Sequence, residues 1–160
     1  MSLDVGQKAP DFTLPSTEGG ALTLSSLKGK PVVLYFYPKD DTPGCTMESC
    51  DFRDNFAALK KQDVHVLGLS KDSIKSHLKF IAKHDLNFPL LSDEEGKVVE
   101  TYGAWVEKSM YGKKYMGIDR STFLIDADGK LARIWRNVKV TGHVAEVMDE
   151  VKKLKSAKAA

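Results

Sequence analysis

Cysteine is scarce in this chain, and long apolar runs are missing from it. The 160 residues contain two cysteines, Cys45 and Cys50, which lie five positions apart. A disulfide-rich scaffold needs many cysteines in a short chain, so that class of protein is excluded. No stretch approaches the roughly 18 consecutive apolar residues of a membrane span, and a membrane is therefore not expected as a partner.

An excess of charge of one sign is also lacking. The 24 lysines and arginines nearly balance the 22 aspartates and glutamates, which leaves a formal net charge of +2. This balance provides no broad basic surface, so nucleic acid is not expected as a partner. The N-terminus has no apolar segment typical of a secretory signal, which favours a cytoplasmic location. In that reducing compartment, a close cysteine pair is more often catalytic or metal-binding than structural.

Ligands for a structural metal are sparse. Structural zinc takes four ligands, commonly as two close pairs of cysteine or histidine. The chain has one cysteine pair, and none of its four histidines is separated from another by three to five residues. The histidines are His65, His77, His84 and His143. We expect these side chains at the surface or in strands, and we expect no metal site.

Short apolar runs alternate with helical patterns along the chain. Runs rich in β-branched and aromatic residues predict strands over 32–37, 64–69, 88–91, 121–125 and 131–138. Amphipathic patterns predict helices over 46–61, 72–84 and 97–102, and a last helix opened by Thr141. This order predicts an α/β fold with a mixed central sheet that helices cover on both faces. It resembles the thioredoxin fold with an N-terminal extension.

Some details of these elements can be predicted more closely. Asp72 can cap the helix over 72–84, and the spacing of Ile74, Leu78 and Ile81 turns these three side chains toward the core. The turn at 126–129, Asp-Ala-Asp-Gly, predicts a hairpin between the last two strands. We expect one domain over residues 4–155 and a frayed, lysine-rich tail over 156–160.

The candidate chemistry lies in the turn between the strand over 32–37 and the following helix. Asp41 or Thr42 can cap that helix, and Pro43 suits its first turn. Cys45 would then lie against free backbone N–H groups and the positive end of the helix dipole, which stabilise a thiolate. Because the thiolate is the nucleophilic form, Cys45 is the candidate reactive residue, and Thr42 can supply a hydroxyl beside it.

The spacing of the two cysteines has a geometric consequence. Five residues of α-helix separate two Cα atoms by about 8.7 Å, from a rise of about 7.5 Å and a rotation of about 140°. A disulfide needs a Cα separation of roughly 4.4–6.8 Å. If Cys45 and Cys50 are both helical when reduced, they can bond only after the intervening turn unwinds. We therefore predict that oxidation melts the start of this helix.

Arg120 is a candidate cationic partner for the thiolate and for a polar substrate, because it directly precedes the apolar strand predicted over 121–125. An arginine there is always charged and offers several donors with fixed geometry, which suits an oxygen-rich substrate. The residues alone do not bring Arg120 beside Cys45, since the two are far apart in the chain.

The motif P-x-x-x-T-x-x-C, here Pro38, Thr42 and Cys45, resembles the active-site signature of the peroxiredoxin family. Cys50, five residues further on, is similar to the second cysteine of the bacterioferritin comigratory protein (PrxQ-type) branch. The segment 117–126, with Arg120, resembles the one that carries the family's active-site arginine. Residues 6–14 are similar to the family's opening segment. The resemblance covers about residues 4–155.

This resemblance implies a thiol-specific peroxidase that reduces hydrogen peroxide and organic hydroperoxides. Cys45 would be the peroxidatic cysteine, and Cys50 would resolve its sulfenic acid as an intramolecular disulfide. Thr42 and Arg120 would bind the peroxide oxygens, and Pro38 would shield the sulfenic acid from solvent. Thioredoxin or a similar dithiol protein would reduce the disulfide. The resemblance implies no metal, haem or flavin cofactor, and we expect a monomer because an internal resolving cysteine needs no partner chain.

Two other functions remain open at this point. A general thiol–disulfide oxidoreductase would act on protein disulfides without peroxide chemistry, although the C-x-x-C motif of such proteins is missing here. A thioredoxin-like binding or holdase module would have no catalytic cysteine at all. Replacement of Cys45 by serine separates these alternatives, because only the binding module tolerates that change.

Overall fold

The computed structural model describes residues 3–159 of the chain. The strands are β1 (Thr13–Pro15), β2 (Ala21–Thr23), β3 (Val32–Phe36), β4 (His65–Ser70), β5 (Leu90–Ser92), β6 (Trp105–Met110), β7 (Lys113–Ile118), β8 (Ser121–Ile125) and β9 (Leu131–Trp135). The helices are α1 (Pro43–Lys61), α2 (Ile74–His84), α3 (Lys97–Thr101) and α4 (His143–Ala159), and Leu24–Leu27 forms a 3-10 turn.

The main sheet is built around β3, which is buried at every position. Its five strands lie in the order β5-β4-β3-β8-β9, with β3 parallel to β4 and antiparallel to β8. Because successive side chains of a strand point to opposite faces, β3 contributes to two hydrophobic cores. Val32 and Leu34 join the core under α3 and the N-terminal strands, whereas Val33 and Tyr35 join the core under α1, α2 and α4. The predicted thioredoxin-like mixed sheet, with helices on both faces and an N-terminal extension, is confirmed.

The predicted elements of the sheet are found with shifted ends. The fifth strand is Leu90–Ser92 rather than 88–91, and the last strand ends at Trp135 rather than at 138. The hairpin turn at 126–129 joins β8 and β9, as predicted. Helix α1 begins at Pro43, three residues before the predicted start, because the proline's fixed φ suits a first helical turn.

A two-stranded ribbon formed by β6 and β7 is absent from the sequence-based prediction. The strands pair in antiparallel register from Trp105↔Ile118 to Met110↔Lys113. Most of their side chains are exposed, and several are charged. The ribbon therefore lacks the run of buried apolar residues by which the other strands are recognised.

The start of α2 differs from the prediction. Ser73, not Asp72, is the N-cap, and its side chain accepts a hydrogen bond from the backbone N–H of Ser76 at 3.1 Å. The carboxylate of Asp72 instead accepts a bond from the backbone N–H of Asp40, in the loop before α1, at 2.8 Å. Asp72 therefore connects two loops rather than ending a helix.

The buried face of α2 is also rotated from the predicted one. Leu78 is 48% exposed, so the expectation that it faces the core is wrong. The most deeply buried side chains of the helix are His77 and Phe80, while Ile74 and Ile81 are half-buried. A polar residue thus occupies the inward position, and an apolar pattern does not reveal it.

Two of the four histidines contradict the expectation of surface or strand positions. His77 and His143 are buried, and both lie in helices. Nε2 of His143 lies 2.8 Å from Oγ1 of Thr122 on β8. Burial, together with the charge of Arg120, lowers the pKa of His143 to about 4. His143 is therefore a neutral, hydrogen-bonded core residue at ordinary pH.

Helix α4 continues to Ala159, and Ala160 lies outside the described residues. The frayed tail over 156–160 and the domain limits 4–155 thus stay predictions. Among the described helices, none combines the length and the apolar character that crossing a membrane requires.

Candidate active site at the start of α1

The site begins where β3 leaves the sheet and the chain turns into α1. Thr42 is the N-cap, with extended φ and ψ of −93° and 154°, and Pro43 occupies the first turn. The Thr42 hydroxyl donates to the carbonyl of Lys39 at 2.9 Å and makes no capping bond to the helix. The backbone N–H groups of the first turn are therefore not occupied by a side-chain cap. They remain available to an anion at the helix start.

Cys45 lies in this first turn and is 1% exposed. Arg120, between β7 and β8, extends across the sheet edge, and its Nη2 donates to Sγ of Cys45 at 3.3 Å. The neighbouring Gly44 leaves room for this approach, because a Cβ at that position would lie 3.0 Å from Nη2 of Arg120, closer than ordinary van der Waals contact. A guanidinium and a helix N-terminus thus converge on one sulfur atom, and both stabilise a thiolate.

Glu48 holds the other side of the same guanidinium. Its Oε1 accepts from Nη1 of Arg120 at 2.8 Å, and its side chain is fully buried. Burial raises the pKa of Glu48 to about 7, although the charge of Arg120 opposes the shift. Oε2 of Glu48 has no hydrogen-bond partner among the described residues. Glu48 therefore orients Arg120 toward Cys45.

A cleft of about 560 Å³ opens beside Arg120. It is lined by Pro38, Val106, Glu107, Lys108, Ser109, Tyr115, Asp119, Arg120, Asn137 and Val138. Five of these ten residues belong to the β6–β7 ribbon, so the exposed ribbon shapes the approach to the site. Most of the lining residues are polar or charged, a minority are apolar or aromatic, and the cleft is far larger than a hydrogen peroxide molecule.

Cys50 lies further along α1 and is half-buried. Both cysteines are free thiols in the structure, and both belong to the helix Pro43–Lys61. The condition for the unwinding prediction is therefore met, because helical geometry keeps their Cα atoms about 8.7 Å apart.

The structure thus brings together some of the predicted site residues and not others. Arg120 contacts Cys45, and Pro38 shares the cleft with Arg120. Thr42 begins the helix but has no recorded contact with Cys45. Cys50 lies apart from this group. The sequence analysis missed Glu48, whose signal was its position three residues after Cys45, on the same helix face.

A thioredoxin-like sheet with a buried cysteine at a helix start, contacted by an arginine, defines a thiol-based redox protein. Residues 5–134 match the AhpC/TSA family. The chain belongs to this family, in the branch of the Bcp and PrxQ peroxiredoxins. It is accordingly a thiol peroxidase.

The relatives agree over nearly the full length of the chain. Peroxiredoxin Bcp of Bacillus subtilis is 51% identical, over 95% of this chain and 97% of its own. Peroxiredoxin Bcp of Escherichia coli is 46% identical, over 94% of this chain and 96% of its own. The bacterioferritin comigratory protein of Xanthomonas campestris, a solved structure, superposes with a TM-score of 0.88 at 40% identity. That match covers 95% of this chain and 99% of the other.

Proposed function

We propose that Cys45 is the peroxidatic residue of this thiol peroxidase and that Cys50 resolves it as an intramolecular disulfide. The observation that carries the proposal is the contact of Arg120 with Sγ of Cys45 at 3.3 Å, in a buried helix start. The contact holds a positive charge beside the atom that must be an anion to react. Among the described residues, Cys50 receives no hydrogen bond from an arginine, although the charge of Arg53 interacts with it.

In the first step, the Cys45 thiolate attacks the terminal oxygen of a hydroperoxide. A sulfur–oxygen bond forms and the oxygen–oxygen bond breaks, so that the sulfur is oxidised by two electrons. The leaving oxygen takes up a proton and departs as water or an alcohol. Arg120 and the free N–H groups after Thr42 stabilise the negative charge that moves onto this oxygen. Because the Thr42 hydroxyl donates to Lys39, its oxygen accepts from the O–H of the hydroperoxide, and Pro38 shields the sulfenic acid from solvent.

In the second step, the Cys50 thiolate attacks the sulfur of the sulfenic acid. A disulfide forms, and the oxygen leaves as water after taking up a proton. Helical geometry forbids this bond until the turn between the cysteines unwinds. Thioredoxin or another dithiol protein then reduces the disulfide by exchange, with two electrons passing from its thiols.

The cleft supports organic hydroperoxides as substrates in addition to hydrogen peroxide. Its volume of about 560 Å³ accommodates a carbon chain, and Val106, Tyr115 and Val138 supply apolar wall. The related Xanthomonas campestris protein is described by its alkyl peroxide reduction activity. The cytoplasmic location and the monomeric state belong to the same proposal and stay predictions.

The test is the intact mass of the reduced protein after one equivalent of hydrogen peroxide, with a non-reducing gel alongside. We expect loss of two hydrogen atoms in a monomeric band, and Cys50→Ser should instead gain one oxygen. Oxygen gain in the unmodified protein, without a disulfide, would remove Cys50 from the mechanism. No change in mass would remove Cys45 from its proposed role.

A further inference from the structure

A buried polar cluster lies directly behind the active-site loop and takes no part in the proposed chemistry. Its centre is Asp40, whose side chain is 4% exposed. Oδ1 of Asp40 accepts from the Tyr37 hydroxyl at 2.6 Å, and Oδ2 accepts from the Ser76 hydroxyl at 2.8 Å. Nδ1 of His77 also lies 2.8 Å from Oδ2. Two of these partners, Ser76 and His77, belong to α2.

Hydrogen bonds engage both ring nitrogens of His77. Nε2 lies 2.8 Å from the carbonyl oxygen of Leu91, which can only accept, so Nε2 carries a hydrogen. Nδ1 faces Oδ2 of Asp40 at 2.8 Å and the Tyr37 hydroxyl at 3.4 Å, so both ring nitrogens have polar partners. Without His77, Asp40 would lose one of three side-chain partners and keep Tyr37 and Ser76, so its position would be less tightly fixed.

These hydrogen bonds of His77 also argue against a metal at the cluster. Single ligand atoms of Asp40, Asp72 and His77 lie within 4.8 Å of one another. A histidine ligand needs a free nitrogen lone pair, and both ring nitrogens of His77 are engaged in hydrogen bonds. Oδ2 of Asp72 already accepts from the Ser70 hydroxyl at 2.6 Å and from the backbone N–H of Asp40 at 2.8 Å. The cluster holds protein groups to one another.

Asp40 connects the cluster to the active site, because it belongs to the loop that carries Pro38 and Thr42. Asp40 stands midway between Pro38 and Thr42, two residues from each. Its side chain is held by α2, and its backbone N–H is held by the carboxylate of Asp72. The loop that sets the first turn of α1 is therefore held from α2, on the side opposite Arg120.

We propose that His77 is a positioning residue for the reaction of Cys45 with peroxide: through Asp40, it holds the loop that carries Pro38 and Thr42 in its reactive geometry. The inference rests on the proposed function, because it takes Cys45 as the reacting thiol. His77 does not touch the peroxide. A displacement of about 1 Å in the groups that surround a reacting atom can lower the reaction rate by about a hundred-fold. A residue that holds such groups in place therefore affects the rate without contacting the substrate.

The experiment compares two substitutions of His77 in the Cys50→Ser background, where oxidation of Cys45 is isolated. In His77→Asn, the side-chain amide nitrogen occupies nearly the position of Nδ1 and can still donate to Asp40. In His77→Gln, the amide extends to the position of Nε2, which retains the Leu91 contact and loses the bond to Asp40. The matched control is His65→Gln, because His65 lies on β4 beside Val32, at the end of the sheet away from the active-site loop.

The readouts are the stopped-flow rate of oxidation by hydrogen peroxide and the rate of Cys45 alkylation by iodoacetamide. We expect His77→Gln to lower the peroxide rate by about ten-fold or more while alkylation changes by less than about three-fold. His77→Asn should recover most of the peroxide rate, and His65→Gln should leave both rates unchanged. Alkylation does not need the peroxide-binding groups, so the ratio separates positioning from general damage to the thiol.

If folded His77→Gln reacts with peroxide as fast as the Cys50→Ser parent, the inference is overturned. An equal fall in the peroxide and alkylation rates would overturn it as well. If His77→Gln does not fold, Ser76→Ala removes one donor to the same carboxylate and should lower the peroxide rate in the same direction. An unchanged rate in folded Ser76→Ala would then overturn the inference. The proposed function fails separately, if peroxide does not oxidise Cys45 in the Cys50→Ser parent.

Discussion

Two cysteines of one helix lie in different surroundings, although five residues separate them. Cys45 is buried at the helix start and receives a hydrogen bond from Arg120. Cys50 is half-buried, and the charge of Arg53 acts on it without a hydrogen bond to its sulfur among the described residues. The difference shows that reactivity is a property of the helix terminus and of the groups that converge on it. The residue type alone does not confer it.

The comparison also separates two requirements that a two-cysteine peroxidase must reconcile. A rigid, desolvated terminus favours the attack of Cys45 on peroxide, because it holds Arg120 and the free N–H groups in place. Disulfide formation needs that terminus to open, since the helix keeps the sulfur-bearing residues too far apart. The helix start must therefore be stable enough to react and weak enough to unwind.

The largest expected effect comes from Cys45→Ser, which removes the proposed nucleophile. We expect complete loss of peroxide consumption, measured with thioredoxin, its reductase and NADPH. A serine hydroxyl retains the shape of the site but is not ionised at neutral pH, so the fold should persist. Residual turnover comparable to the wild-type rate would mean that Cys50 is the reactive thiol, and the comparison would be reversed.

The next largest effect is expected from Arg120→Ala. The change removes the donor to Cys45 and leaves the buried Glu48 without its partner. We expect the stopped-flow rate of the first oxidation to fall by about a hundred-fold, the scale of losing one oriented donor to a developing negative charge. Arg133→Ala is a control, because that arginine pairs with the partly exposed Glu150 far from Cys45. A normal oxidation rate in Arg120→Ala would remove the arginine from the site.

These two residues illustrate what the sequence could and could not predict. The strand before Cys45 and the helix after it follow from local patterns, namely an apolar β-branched run and a proline in a first turn. The contact of Arg120 with Cys45 joins residues 75 positions apart, so it depends on strand pairing that no local pattern encodes. Family resemblance, not periodicity, brought Arg120 into the site.

Other features were not predicted from the sequence, because their burial differs from what their residue types suggest. Glu48 and His77 are polar residues on helix faces, which a hydrophobic pattern assigns to solvent. Each has a specific charged partner in the interior, Arg120 for Glu48 and Asp40 for His77, although Oε2 of Glu48 has no partner among the described residues. The β6–β7 ribbon was not predicted for a different reason. Backbone hydrogen bonds hold its two strands together, and most of its side chains are exposed, so it shows no apolar run.

Cys50→Ser should sharpen the comparison by affecting one half of the cycle. We expect the first oxidation to stay within about two-fold of the wild-type rate, because the surroundings of Cys45 are unchanged. Turnover with thioredoxin should fall by about ten-fold or more, since the sulfenic acid has no internal thiol to resolve it. Normal turnover in this variant would show that the reductant resolves Cys45 directly.

The smallest expected effect concerns the pH dependence of stability at Glu48. Its pKa is about 7 in the folded protein and 4.5 as the ordinary value, because burial disfavours the carboxylate. Between these two values the folded state binds more protons at this site than the unfolded state does. Stability therefore falls as the pH rises through this window, and the loss is complete above the folded pKa. Glu48→Gln removes the ionisation and should flatten this part of the profile.

The measurement is denaturant unfolding of the reduced protein at pH 5 and pH 8, for the wild type and for Glu48→Gln. We expect the wild type to lose on the order of 1–3 kcal/mol more than the variant between the two pH values. Glu146→Gln is the control, since that side chain is exposed in the first turn of α4. Equal pH profiles for Glu48→Gln and the wild type would mean that Arg120 keeps the carboxylate ionised throughout. In that case the ion pair, rather than burial, would dominate the electrostatics around Cys45.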